Sequence, residues 1–412
     1  MASPDQHSSS SSWEQDESAY SETDARAGSW TTFWFEPQRL RLLTLALLLG
    51  LAGAGVFPVL STHLAIGLGI SPLWIGVFFA VNTAAGVLVS HSLAKASDQG
   101  LRRILILWVS TAVGMVGSLA LGYITQYGWL LVAGMIWFGL SSAAQPQIFA
   151  MAREAVAEEE AALFQSVLRA CFSASWIVGP PLAYLLFELI GFTRLMWLVA
   201  IMFGLCLLLL PGLPDGKVQA TRGASLPTNR RIKWLALMIL AVFAANTMYI
   251  VYMPLYVRET LGIGGIVPGL LMGLAAGLEI PIMVAGGAMA HRWPLLRPLW
   301  IAVAGGTAFY LGIFLFSGVT MLAVLQIFNG VLIGLAAGVG ISVFQKLMPD
   351  RLGMASTLYT NAIKVGSLLG AGLGGVVAEF GGYGSVFLVN VLLMTVAALA
   401  LWQCGHERHQ RT

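Results

Sequence analysis

Charge is the scarcest property of this chain: aspartate, glutamate, lysine and arginine make up 10% of its 412 residues, against 58% hydrophobic. A water-soluble domain draws on about 25% charged residues to cover its surface, so this balance excludes a soluble fold of that length. The three cysteines, Cys171, Cys206 and Cys404, show neither pairing nor metal-ligand spacing, which argues against a disulfide framework and a zinc site. No phosphate-cradling Walker loop is present, so ATP does not drive the chain directly. There is no His-Glu-x-x-His, no Gly-x-Ser-x-Gly and no pair of membrane aspartates, and the run His406-Glu407-Arg408-His409 has the wrong spacing. These absences argue against an intramembrane enzyme. No cofactor, metal or nucleic-acid partner is expected. No apolar core follows a basic start near the N-terminus, so no cleavable signal peptide is expected either.

What the chain has is long apolar runs. They fall at about 40–62, 72–94, 104–124, 129–151, 161–187, 194–212, 234–257, 267–290, 299–317, 321–345, 354–378 and 385–403. Each approaches or exceeds the roughly 20 residues that a helix needs to cross a hydrocarbon core. They predict an all-α membrane protein with twelve transmembrane helices. Of the 22 lysines and arginines, 18 lie on the side of the termini, Arg194 and Arg258 on the opposite side, and Arg169 and Lys364 within spans. By the positive-inside rule this places both termini in the cytoplasm.

Residues 1–36 are serine-rich and carry seven acidic residues against one arginine, and they read as a disordered acidic tail. A polar linker at 212–233 divides the spans six and six, into bundles at 37–211 and 234–403, with a short tail at 404–412. The halves show a faint parallel repeat at an offset of 195–196: Pro58 with Pro254, Pro72 with Pro268, Phe164 with Tyr359, and Arg169 with Lys364. Such a repeat predicts two six-helix bundles related by an axis along the membrane normal, with a site between them near the midplane. Glycines at four-residue spacing (Gly269, Gly273, Gly277; Gly330, Gly334, Gly338; Gly366, Gly370, Gly374) mark helix faces that allow close approach. They fit either static packing or surfaces along which helices slide.

Ionisable groups inside a membrane are costly and point to function. Three lie clearly within spans: Arg169, Glu279 and Lys364. Lys364 sits about ten residues from the start of its span and Glu279 at a similar depth, roughly 15 Å at 1.5 Å per residue. Arg169 lies nearer its span's edge, where its side chain either faces an internal cavity or snorkels to the interface. A carboxyl group changes its hold on a proton when a cation arrives or leaves. Glu279 is therefore suited to proton coupling; the alternative is a permanent ion pair locking the halves.

Around these charges lie groups suited to a polyhydroxylated ligand. Asn82, Gln145, Asn246, Gln326, Asn329 and Asn361 offer paired donors and acceptors. Asn246 and Tyr249 share a helix face, with Tyr252 and Tyr256 close to it. Trp176 lies two turns beyond Arg169, an arrangement in which a ring can cover the C–H face of a sugar while a guanidinium grips its hydroxyls. Taken singly, each amide also fits ordinary helix–helix hydrogen bonding. Gly179-Pro180-Pro181 removes two successive backbone donors and is expected to bend its helix, for gating or for shape.

Several of these segments resemble a known family. Asp98-Gln99-Gly100-Leu101-Arg102-Arg103 is similar to the signature loop of the major facilitator superfamily, Asp-Arg-x-Gly-Arg-Arg, shortened by one residue and without its first arginine. Trp176 to Pro181, Asn246 to Pro254 and Gly273 to Pro281 look like the bacterial sugar efflux transporters, and the likeness runs through nearly all of the membrane-embedded chain. The resemblance implies proton-linked export of sugars or glycosides across the inner membrane by a monomer. The polar and charged groups named above give an expected substrate-binding set of Asn82, Gln145, Arg169, Trp176, Asn246, Tyr249, Gln326, Asn329, Asn361 and Lys364, and Arg169 with Trp176, and Glu279, also resemble the sugar-binding and proton-coupling arrangement of lactose permease. For Asp98, Arg102 and Arg103 the superfamily resemblance implies closure of the cytoplasmic face. The rival expectation is a proton-driven exporter of amphipathic drugs, and a transport-inactive receptor is a third.

Overall fold

The computed structural model describes residues 36–98, 100–213, 230–289 and 292–406. The acidic tail up to residue 35, the centre of the linker and the last six residues lie outside them. Among the described residues the chain is helical: α1 Pro37–Thr62, α2 Pro72–Asp98, α3 Arg103–Tyr123, α4 Tyr127–Ser141, α5 Ala144–Glu154, α6 Glu158–Leu209, α7 Arg230–Leu255, α8 Val267–Met289, α9 Arg297–Leu315, α10 Val319–Gly338, α11 Gly340–Leu347, α12 Leu352–Gly381 and α13 Tyr383–His406. Eleven stretches are long and apolar enough to cross a membrane.

One of these stretches is a hairpin. The helix α6 runs for 52 residues and is interrupted at Gly191, where φ 79° and ψ 168° suit only a residue without a Cβ. Both ends of α6 meet the start of α1: Arg39 pairs with Glu160 at 3.6 Å, and Arg41 donates to the carbonyl of Pro211 at 2.6 Å. Its middle meets the other end of α1, where Tyr184 Oη lies 2.7 Å from Thr62 Oγ1. At 52 residues, α6 is long enough to pass twice with its turn at Gly191, and the expected number of twelve rests on reading it so.

The internal repeat is visible in the backbone. π-helical turns, His63–Gly67 and Tyr256–Thr260, end the first helix of each half, each shortly after an internal proline, Pro58 or Pro254. The fourth span of each half is broken, at Ser142–Ala143 and at Val339. Gly191 and Gly382 turn the chain with nearly the same dihedrals, φ 79° and ψ 168° against φ 77° and ψ 167°. These breaks are absent from the hydropathy pattern, which responds to composition and not to backbone angle.

Within the first half α1 packs along α6, and α2 and α3 pack against α4; in the second, α7 packs on α12 and α13, and α8 on α10. The halves meet through α2 with α12, α6 with α8 and α1 with α7. One buried cluster, including Leu42, Ile148 and Phe164, stays within the first half, at the end nearest the termini. A second, including Ile239, Phe309 and Phe344, stays within the second half. A third joins the halves, setting Val56, Ile75 and Phe78 against Met248, Tyr252 and Ala371, and it lies toward the end away from the termini. That end, called outer below, is sealed.

The glycine faces divide by role. Gly366 and Gly370 press on the carbonyls of Leu240 and Ala244, Gly374 on the Tyr252 ring, and Gly330, Gly334 and Gly338 on α8, all inside one half. Gly269 and Gly273 instead cross the boundary to α6, whereas Gly277 has nothing within 4 Å of a Cβ.

Candidate functional site

A cavity of about 200 Å³ opens where α6, α7, α8 and α10 converge between the halves. Its polar lining is Trp176, Asn246, Tyr249, Glu279 and Asn329; its apolar lining is Ile250, Met272, Ala275, Ala276 and Ile333. The spacing of Asn246 and Tyr249 puts both on the inward face of α7, as the sequence predicts. Behind this lining, Gln326 holds two of its members. Tyr249 Oη donates to Gln326 Oε1 at 3.0 Å and Asn329 Nδ2 donates to the same oxygen at 3.1 Å. Gln326 Nε2 in turn donates to the Leu322 carbonyl at 3.1 Å. Gln326 thus sets the rotamers of its neighbours and does not itself line the cavity. One acceptor is left over: Asn329 Oδ1 is buried without a hydrogen-bond partner.

The remaining charges lie elsewhere. Arg169 is exposed and makes no ion pair with Glu279. Tyr359 donates to the carbonyls of Ala336 and Ala337, both at 3.2 Å. Lys364 is half-buried and Asn361 exposed on α12, outside the cavity lining. Gln145 is exposed on α5. Asn82 is buried between α2 and α4, donating to the Phe78 carbonyl at 2.7 Å and lying against Gly134. Tyr252 and Tyr256 turn away from the cavity, to the carbonyls of Ala371 and Ile313.

The contacts that join the halves at the outer end went unread in the sequence. Pro180 and Pro181 carry no N–H, so the carbonyls of Trp176 and Ile177, four residues earlier, lose their helical donors. The backbone stays helical through both prolines, the one non-helical residue of α6 being Gly191. The Ile177 oxygen sits so close to Gly273 that a Cβ there would lie 2.4 Å from it, and a Cβ on Gly269 would lie 2.6 Å from the Pro180 oxygen. On the opposite flank a Cβ on Gly76 would lie 2.7 Å from the Gly375 Cα. Glu379 Oε2 accepts from the Leu73 amide at 3.0 Å, placing a carboxylate at the amino end of α2, where the helix dipole favours it. Arg258 pairs with Glu188 across the halves.

Comparison with known proteins settles the family. The Major Facilitator Superfamily model matches residues 42–323. Sugar efflux transporter A of Escherichia coli (strain K12) is 39% identical over 368 residues, covering 86% of this chain and 93% of that protein. The chain belongs to the major facilitator superfamily, in its sugar efflux branch. Sugar efflux transporter A of Dickeya chrysanthemi is 36% identical, covering 88% of this chain and 94% of its own length. The crystal structure of the nucleoside transporter NupG superposes with a TM-score of 0.74 at 14% identity, covering 89% of this chain and 98% of that one, a likeness of fold alone. This member of the superfamily is therefore a multi-pass membrane transporter and not an enzyme. In its signature loop the Asp98 side chain lies outside the described residues. Arg102 is exposed at the amino end of α3, and Arg103 pairs with Glu154 at 3.0 Å within the same half.

Proposed function

We propose that this transporter exports sugars or glycosides from the cytoplasm across the bacterial inner membrane, as a monomer with both termini cytoplasmic, by alternating access coupled to proton antiport. The domains are the bundles 37–211 and 234–403, and the outer seal makes the present state the one loaded from the cytoplasm. The observation that supports this reading best is the convergence of Trp176, Asn246, Tyr249, Glu279 and Asn329 from four helices on one cavity between the halves. An orphaned buried acceptor costs about 1–3 kcal/mol. A sugar hydroxyl donating to Asn329 Oδ1 would recover that cost, and Trp176 would cover the ring's C–H face.

The cavity volume of about 200 Å³ falls below the roughly 300–1,000 Å³ of drug-sized pockets, which favours a small saccharide over an amphipathic drug. Glu279, on the cavity wall and without an ion-pair partner among the described residues, is the proton-coupling group. Arg169, Asn361, Lys364, Gln145 and Asn82 complete or position the site as the halves rock. Asp98, Arg102 and Arg103 close the cytoplasmic face.

Flux of labelled glycosides in vesicles of known orientation, with and without a pH gradient, tests the whole reading; absence of gradient-driven movement for any saccharide defeats it. Two substitutions test the site. Asn329→Leu removes an unsatisfied polar atom, so it is expected to leave thermal stability unchanged or raised while weakening sugar binding about tenfold, the factor that corresponds to 1.4 kcal/mol. A matched fall in stability and affinity would instead make Asn329 a packing residue. Trp176→Ala is expected to reduce sugar affinity more than membrane expression, measured side by side by binding and by quantitative blotting.

A further inference from the structure

We infer that Gln326 fixes the hydrogen-bonding sense of the cavity, so that the site selects a saccharide by two hydroxyl groups that donate to it. The same sugar is refused where either hydroxyl gives way to a group without a proton. This rests on the saccharide reading above and adds the direction of the bonds and the residue that sets it.

The sense of each bond is dictated from the backbone outward. In α10 the Leu322 carbonyl takes the main-chain N–H four residues on, and its second lone pair accepts from Gln326 Nε2 at 3.1 Å. A carbonyl can only accept, so the Gln326 amide turns its nitrogen toward Leu322 and its oxygen the other way. That oxygen too can only accept, and two groups converge on it: Tyr249 Oη at 3.0 Å and Asn329 Nδ2 at 3.1 Å. Reversing the Asn329 amide would set oxygen against oxygen. The Tyr249 proton is therefore committed to Gln326, as is the nitrogen end of Asn329.

What the two residues have left are lone pairs. Asn329 Oδ1 is buried without a hydrogen-bond partner, and Tyr249 Oη, having given its one proton, takes a further bond only as an acceptor. Tyr249 and Asn329 line the cavity and Gln326 does not. Tyr249, Gln326 and Asn329 are only 2%, 1% and 3% exposed, so an acceptor left unmet there keeps its cost. The Phe309 ring, edge-on at 5.3 Å, steadies the Tyr249 ring. Both residues are held against one oxygen, so their free lone pairs are close neighbours, within reach of two hydroxyls of one sugar ring.

A hydroxyl meets such an acceptor by donating. Fluorine in its place is of similar size but has no proton, and it sets a second electron-rich atom against the acceptor. A site built to bond a hydroxyl rejects an analogue that cannot make the bond far more strongly than an apolar pocket separates one methylene. Gln326 touches no substrate in this scheme; it is a positioning residue that acts through Asn329 and Tyr249.

Binding of glucose, galactose and mannose to the full chain in lipid nanodiscs comes first. The complete monodeoxyfluoro and monodeoxy series of whichever binds tightest then tests the proposal at fixed pH. Two ring positions are expected where fluorine and hydrogen each weaken binding about tenfold or more, since neither atom can donate. Gln326→Met keeps the length of the side chain and removes the amide, which frees Asn329 and Tyr249 to turn protons toward the ligand. The penalty for fluorine is expected to disappear in that variant. Tyr249→Phe is expected to erase it at one of the two positions only. A merely structural role for Gln326 would weaken parent sugar and analogue alike, and such an unchanged ratio in Gln326→Met overturns the proposal. Tolerance of fluorine at every position of the wild type overturns it as well, without any variant having to fold. Binding of no saccharide at all defeats the export reading together with this one, whereas binding without discrimination defeats this one alone.

Discussion

Gly273→Val is expected to abolish export while leaving the chain folded and inserted. The added Cβ would lie 2.4 Å from the Ile177 oxygen and 2.7 Å from Pro181 Cγ, both on the facing half. Neither atom belongs to a flexible side-chain tip, so relief comes from separating α6 and α8, which opens the outer seal. Overpacking of this kind costs about 1–3 kcal/mol. At about 1.4 kcal/mol per tenfold, the balance between sealed and open outer faces shifts by roughly five- to 140-fold. Two measurements check it: vesicle flux, and labelling of an introduced Ile75→Cys by an impermeant thiol reagent in a background lacking the native cysteines. Ile75 is buried in the sealed state, so labelling is expected to rise only in the Gly273→Val variant. Gly277→Ala is the control, because nothing lies within 4 Å of its Cβ. Normal flux with Gly273→Val would remove this contact from the transport cycle.

Glu279→Gln is expected to eliminate the stimulation of export by a pH gradient, down to the rate seen without one, while downhill exchange of substrate across the membrane persists. Glutamine keeps the size and hydrogen-bonding capacity of the side chain and loses only the exchangeable proton. The group lines the cavity and makes no ion pair among the described residues, so no structural lock is broken by the change. A permanent lock would instead show as a fall in thermal stability. Gradient-driven flux at the wild-type rate would exclude Glu279 from coupling.

How much of this site was legible beforehand depends on what each residue's signal consists of. Glu279 stands out because a carboxylate amid apolar residues is conspicuous in one dimension. Asn246 and Tyr249 follow from helical spacing, and Trp176 from its place two turns after Arg169. Gln326 carries the same signal as Asn329, yet it supports the site from behind, because its side-chain oxygen is taken by two neighbours. Asn82 reads like Asn246 in sequence and packs between two helices of one half. The alternative expected for Glu279, an ion pair locking the halves, is not formed with Arg169 in this state. Ile177, Gly273 and Leu73 carried no polar signal pointing to the seal, since each meets its partner there through backbone atoms.

Composition and periodicity alone determined that this chain crosses a membrane many times, which side its basic residues favour, that it repeats itself, and which few charges lie at depth. Those properties are local sums along the helix axis, and hydrocarbon imposes them on each segment separately. The tertiary structure decided which faces meet: the hairpin at Gly191, the split of the glycine faces between packing and seal, and the choice of cavity residues among chemically equal amides. Each of these depends on backbones that are distant in sequence approaching to within a few ångströms, and no window of sequence records that approach.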